Sequence, residues 1–169
     1  MWAMIASPLM IGADVRSMPE EFVNVWLNPE LIRVSQDPKG MQGSRVRGNA
    51  TECQVWLRHV VNNGHGNELF VVLFNSGRGT CAADNGGNAT MTVRWDEIGL
   101  DPECMVSTTE LIEGRYLGTV LGEVSVSLRP GASAALRMHP HCKKLPPTNT
   151  GGPARAGGDP NKGADVVST

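Results

Sequence analysis

Residues 6–43 read ASPLMIGADVRSMPEEFVNVWLNPELIRVSQDPKGMQG, and their punctuation constrains how the rest of the chain is built. After Pro8, the short apolar run Leu9-Met10-Ile11-Gly12 stops at the polar group Ala13-Asp14-Val15-Arg16. Strands covered on both faces read as continuous apolar runs, so residues 9–12 are expected to form a strand of the buried, parallel type. A helix start follows. Ser17 with Glu20 three residues on makes a capping box, and Glu21 adds negative charge at the positive end of the helix dipole. Phe22, Val25 and Trp26 recur at i, i+3, i+4 and form an apolar stripe that needs a partner surface. Asn28-Pro29 closes that helix and opens another, since Asn caps well and Pro is tolerated at the first helical position. Asp37-Pro38-Lys39-Gly40 then reads as a turn, with Gly40 supplying a positive φ.

Upstream, residues 2–6 look like the last turn of a helix whose beginning lies elsewhere, because so short an apolar turn does not nucleate by itself. The segment MWAMIASPLMIGADV lacks the basic flank of a secretory signal and runs through Pro8 into Asp14 and Arg16, so no signal peptide is expected in this chain. A membrane span needs about 20 apolar residues, which excludes that reading too.

Downstream of Gly43 the hydrophobic period changes to two. Residues 53–59, 68–76, 89–95, 105–111, 123–128 and 132–138 read as strands. Met91-Val93-Trp95 and Val124-Val126-Leu128 alternate most cleanly with Thr, Arg and Ser. Residues 70–74 are apolar throughout, as expected of a central strand covered on both sides. Gly and Asn clusters at 62–66, 77–79 and 85–88 mark connections. Many short strands with no helix among them predict an antiparallel β-sandwich, and about 95 residues suffice for its core. From Lys143 the composition turns to Pro, Gly and polar residues without apolar period, and residues 143–169 are expected to be a disordered tail.

Short stretches of this sequence, taken in order, resemble glycoside hydrolase family 27, the alpha-galactosidases or melibiases. They are Trp2-Ala3-Met4, Ser7-Pro8-Leu9, Ile11-Gly12-Ala13-Asp14-Val15-Arg16, Asn28-Pro29-Glu30, Gln36-Asp37-Pro38-Lys39-Gly40 and Gln42-Gly43, followed by Val55-Trp56, residues 70–75 and residues 93–100. The resemblance covers roughly residues 1–138 and implies a C-terminal fragment of such an enzyme. On this reading residues 1–43 are a remnant of a catalytic (β/α)8 barrel, its last strand and helix, and residues 44–142 are the antiparallel β-sandwich. The expected fold class is therefore mainly β. A whole (β/α)8 barrel takes about 250 residues, more than the 169 present.

The family's reaction is hydrolysis of terminal alpha-galactosides with retention, which uses two carboxyl groups about 5 Å apart. In the family both are aspartates on earlier barrel strands, so the resemblance implies that no catalytic residue lies in this chain and that the fragment alone is inactive. It further implies a galactoside substrate for the full-length parent, no cofactor, a secreted or lysosomal location for that parent, and leaves a homodimer open. Met1 is readable as an internal methionine, since relatives carry helix residues just before the position of Trp2. Relatives place their capping Ser directly before Pro, where Met18 intervenes here, and carry Leu at the position of Lys39, which suggests a less apolar contact. Two alternatives remain: an alpha-N-acetylgalactosaminidase fragment, and a non-catalytic sandwich that binds carbohydrate or protein.

Other groups are weighed on their own chemistry. Asp14 is the one acid placed just past a strand end, where barrel sites lie, and is a weak substrate-binding candidate; a loop-holding role or a pair with Arg16 is the simpler expectation. His139, His141 and Cys142 form an H-x-H-C run, but it lacks the fourth ligand and rigid surroundings of a metal site, and none is assigned. Trp56 and Trp95 are candidates for sugar stacking, yet their place in alternating strands makes them core. There is no nucleotide loop, Ser-His-Asp arrangement or H-E-x-x-H motif. The net charge of −2 with interspersed signs offers no footprint for nucleic acid or an anionic membrane. Cys53, Cys81, Cys104 and Cys142 lack C-x-x-C spacing and are disulfide candidates with three pairings open. Asn49-Ala50-Thr51 and Asn88-Ala89-Thr90 are glycosylation sequons in expected loops, and with the cysteines they lean towards an oxidising compartment.

Overall fold

The computed structural model describes residues 1–61, 67–81 and 87–142. Eight strands follow two short helices: α1 (Glu20–Trp26) and α2 (Pro29–Ser35), then β1 (Ser44–Arg47), β2 (Gln54–Val61), β3 (Asn67–Phe74), β4 (Ala89–Arg94), β5 (Met105–Glu110), β6 (Arg115–Leu121), β7 (Glu123–Leu128) and β8 (Ser133–Pro140). All pairings are antiparallel. One sheet has six strands in the order β1-β2-β3-β8-β5-β6, and β4 pairs with β7 in a second. The expected sandwich is present, and all six expected strands appear within a residue or two of their predicted ends. β1 and β6 were not expected. Arg45 and Arg47 obscure an apolar alternation in β1, and the burial of β6 is too shallow to print a period of two.

Period-two geometry explains why residues 69–74 of β3 are all apolar. Leu69, Val71 and Leu73 join Met91, Val93, Val124, Val126 and Leu128 in the core between the two sheets. Phe70 and Val72, on the other face, join a second cluster with Ala3, Met4, Val34 and Ala135. The large sheet is thus covered twice, by the small sheet in front and by the N-terminal segment behind. Trp95 closes one end of the front core, fully buried, and its Nε1 donates to the Cys104 carbonyl at 2.9 Å. Disulfides Cys53–Cys81 and Cys104–Cys142 resolve the pairing left open by the sequence, with Cα atoms 5.0 and 5.2 Å apart.

The N-terminal segment departs from expectation in three ways. Residues 9–12 carry no ladder, and Met10 is 74% exposed. A parallel strand is held by ladder bonds to a neighbouring strand, and residues 9–12 pair with none among the described residues. Ser17 does not cap α1. It sits in a 3-10 turn with its hydroxyl 3.5 Å from the Asp14 carbonyl, and the cap position falls on Pro19 without a side-chain bond, because Met18 shifts the start. Phe22 and Val25 remain exposed, while Trp26 meets Trp2 edge to face at 5.2 Å. The expected Asn28 cap is made: Oδ1 accepts from the amides of Glu30 and Leu31, and Pro29 opens α2. Nδ2 of Asn28 also donates to the Leu111 carbonyl, which ties the helix start to the end of β5.

Gly43 marks the seam. Its amide donates to the Met4 carbonyl at 2.7 Å, and a Cβ there would meet the Met4 sulfur and lie 2.8 Å from the Leu57 carbonyl oxygen. Gly40, at φ 58°, supplies the left-handed turn residue expected after Lys39. Residues 62–66, residues 85 and 86 of the 85–88 cluster, and the tail at 143–169 lie outside the described residues.

Candidate functional site

The site with most chemistry is the contact between α2 and the back of the large sheet. Strand alternation puts Arg58 on β2, Glu68 on β3, and Arg137 and His139 on β8 on the face that carries Phe70 and Val72. Helix α2 brings Glu30 and Arg33 to them at i, i+3 spacing. Glu68 is 1% exposed, and its Oε2 accepts from Arg33 Nη1 at 2.9 Å. Its Oε1 lies 2.9 Å from His139 Nε2 and 3.5 Å from Arg137 Nε. Arg137 Nη1 donates to Glu30 Oε2 at 2.6 Å. Burial works against the Arg33 charge, but the two glutamates outweigh it and hold the guanidinium above its ordinary value. Burying a carboxylate is unfavourable unless it is paired, and Glu68 has Arg33 and Arg137 beside it, while the partly exposed Glu30 pairs with the same two arginines.

Asp37 has a second role besides the expected turn. Its carbonyl accepts from the Gly40 amide, while its buried carboxylate lies 3.7 Å from Arg58 Nη2. Arg58 is itself 1% exposed and donates to the Ala3 carbonyl. Burial pushes the Arg58 pKa down, and Asp37 opposes that. None of Arg58, Glu68 or Arg137 was singled out from the sequence. The available signal was a charged residue inside an apolar strand at the parity of the back face.

Asp14 meets its simpler expectation. Arg16 donates to it through its backbone amide, Nε and Nη2, at 3.0, 2.9 and 2.9 Å, and these bonds hold the exposed carboxyl below its ordinary pKa. The H-x-H-C run is divided among separate partners: His139 at Glu68, His141 Nε2 at 2.7 Å from Ser107 Oγ, and Cys142 in its disulfide. Among the described residues no group of three or more His, Cys, Asp or Glu is arranged to hold a metal. Trp95 is core and closed to any sugar. Trp56 is partly buried, with Nε1 bonded to Gln54 and Arg45 stacked 5.8 Å above its ring. An apolar groove of about 330 Å³ runs between α1, α2 and the sheet, lined in part by Trp2, Leu9, Val25, Trp26 and Phe70. No helix among the described residues is long and apolar enough to cross a membrane.

The described residues thus form an antiparallel β-sandwich that holds a short helical segment on its back by an ion-pair network, with apolar side chains left facing out. The chain belongs to the family described as the alpha galactosidase C-terminal beta sandwich domain, whose profile matches residues 50–138. It is 38% identical to alpha-galactosidase 3 of Arabidopsis thaliana over 112 residues, 65% of this chain and 23% of that protein. With the alpha-galactosidase of Oryza sativa subsp. japonica it is 33% identical over 129 residues, 76% of this chain and 28% of that one. The chain therefore spans about a quarter of the length of these relatives. Alpha-galactosidase I of Mortierella vinacea aligns with a TM-score of 0.68 at 23% identity, covering 81% of this chain and 33% of that structure. A family 27 β-L-arabinopyranosidase of Geobacillus stearothermophilus aligns with a TM-score of 0.67 at 23% identity, covering 85% and 29%. These two likenesses bear on the fold.

Proposed function

We propose that the chain is the C-terminal part of a retaining alpha-galactosidase-type glycosidase, in which residues 44–142 brace the catalytic barrel and residues 1–43 supply its last strand and helix. The observation that carries this reading is the family match over residues 50–138 together with alignments that take most of this chain but about a quarter of each relative. The exposed apolar side chains of residues 9–27 support it, because Met10, Ile11, Val15 and Phe22 suit burial against further barrel elements and have no cover among the described residues. Residues 9–12 become a strand only beside neighbouring strands.

The sandwich contributes no catalysis on this reading. Retaining hydrolysis requires a nucleophilic carboxylate and a second carboxyl group as acid and base. Asp14, just past residues 9–12, is engaged by Arg16, and on this reading the reacting pair belongs to earlier barrel strands. Two disulfides favour a secretory or lysosomal compartment for the parent enzyme. The alpha-galactosidase relatives support an alpha-galactoside as the parent's substrate, with an alpha-N-acetylgalactosaminide as the alternative, since an alpha-N-acetylgalactosaminidase of Mus musculus is 31% identical over 62 residues.

The test is hydrolysis of an aryl alpha-galactoside by the purified chain, alone and fused behind the barrel portion of the Arabidopsis relative. The chain alone is expected to match a buffer blank and the fusion to turn over. Turnover by the chain alone would sink the reading, and so would a folded but inactive fusion.

A further inference from the structure

The two sequons that the glycosidase reading leaves unused lie beside one open side of the sandwich. Among the described residues β1 is the terminal strand of the large sheet, and β4 is an open edge of the small one. Between them runs a groove of about 370 Å³, lined by Gly48, Glu52, Cys53, Thr90 and Thr92 among others. Gly48 immediately precedes Asn49, and Thr90 is the hydroxyl residue of the second sequon. Arg47 bridges the gap: Nη2 donates to the Thr92 carbonyl on the edge of β4, and Nη1 pairs with Glu97 at 2.6 Å.

Both asparagines are exposed. Asn49 lies in the β1–β2 loop, where its Oδ1 accepts from the Thr51 amide at 2.8 Å and the Thr51 hydroxyl at 2.9 Å. That geometry holds the side-chain amide beside the hydroxyl that the motif requires and leaves Nδ2 outside these bonds. Asn88 precedes β4. Along that strand Met91 and Val93 are buried while Thr90 and Arg94 are exposed, so position 88 continues the solvent-facing row.

We propose that Asn49 and Asn88 are both N-glycan acceptors, and that their glycans flank the open side between β1 and β4. Nδ2 attacks C1 of an oligosaccharide carried on a lipid diphosphate. The C1–N bond forms as the C1–O bond breaks, the lipid diphosphate leaves, and Nδ2 gives up one proton to the transferase base. No electrons are exchanged. An unpaired strand edge is a template for pairing with another chain, and hydrophilic bulk on both sides of this gap blocks that approach.

The full chain, secreted from a eukaryotic host behind a heterologous signal sequence, tests this independently of any glycosidase activity. Release of glycans by peptide N-glycanase is expected to convert both Asn49 and Asn88 to Asp, read by peptide mass. Thr51→Ala and Thr90→Ala are each expected to abolish one conversion, and Thr51→Ser to retain it. A secreted, disulfide-bonded chain unmodified at either asparagine overturns the site assignment. Enzymatically deglycosylated protein is expected to aggregate several-fold faster by light scattering, and equal rates overturn the shielding role.

Discussion

The two faces of the large sheet are covered by different kinds of chemistry. In front, the small sheet contributes alternating Val, Leu and Met side chains, Trp95 seals one end, and two disulfides staple the loops. Behind, α2 brings Leu31 and Val34 to an apolar patch, but much of its attachment is ionic, through Glu30 and Arg33. Further from the sheet, residues 9–27 place Met10, Val15, Phe22 and Leu27 in solvent. The difference teaches that stability and partnership are separated in this chain. The front core is built within the sandwich, while the N-terminal segment is anchored at both ends, through Ala3 and Met4 and through α2, and leaves residues 9–27 with apolar side chains in solvent between them.

The largest effect is expected at the front. Trp95→Ala removes the largest fully buried side chain together with its bond to the Cys104 carbonyl, and should cost about 3–5 kcal/mol in urea unfolding. A cost below about 1 kcal/mol would mean that the sandwich core is not the stable unit. Next is the ionic clamp. Glu68→Gln leaves Arg33, Arg137 and His139 around a neutral group, and the loss of a buried partner should cost about 2–3 kcal/mol. That loss should appear as faster proteolysis within residues 20–40 while the strands stay protected. Uniform loss across both regions would show that they unfold together.

Asn28→Ala is a finer probe, since it removes both the cap of α2 and the bond to the Leu111 carbonyl, with about 1–2 kcal/mol expected at that helix. The smallest effect is on acidification. Burial, with help from Lys39, holds the His59 imidazole below its ordinary pKa. The unfolded chain therefore takes up that proton first as pH falls. The His59 contribution is present above about pH 6.5 and is lost progressively below it. Thermal midpoints measured between neutral and mildly acid pH should fall more for the native chain than for His59→Asn, and parallel curves would contradict this.

Much of the sandwich was legible because alternation and covered strands print directly in residues such as Met91, Val93, Val124 and Val126. The back-face clamp was not, because pairing across β2, β3, β8 and α2 depends on register, and Arg58, Glu68 and Arg137 are far apart in sequence. The run at 9–12 carried the signal of a buried strand, yet its ladder depends on strands that are not among the described residues. Ser17 misled for a local reason: it closes a 3-10 turn of its own, and the helix starts beyond it with Pro19 at the cap position. His139 and Cys142 sat together in sequence, and strand geometry sent them to different partners.

Hydrogen exchange resolved by residue tests the separation most directly. The account predicts that amides of Val71 and Leu136 exchange only with global unfolding, that those of α2 exchange at intermediate rates, and that those of residues 9–27 exchange almost as freely as an open chain. Protection of residues 9–27 equal to that of Val71 and Leu136 would contradict it, and would make the whole chain a single self-sufficient unit.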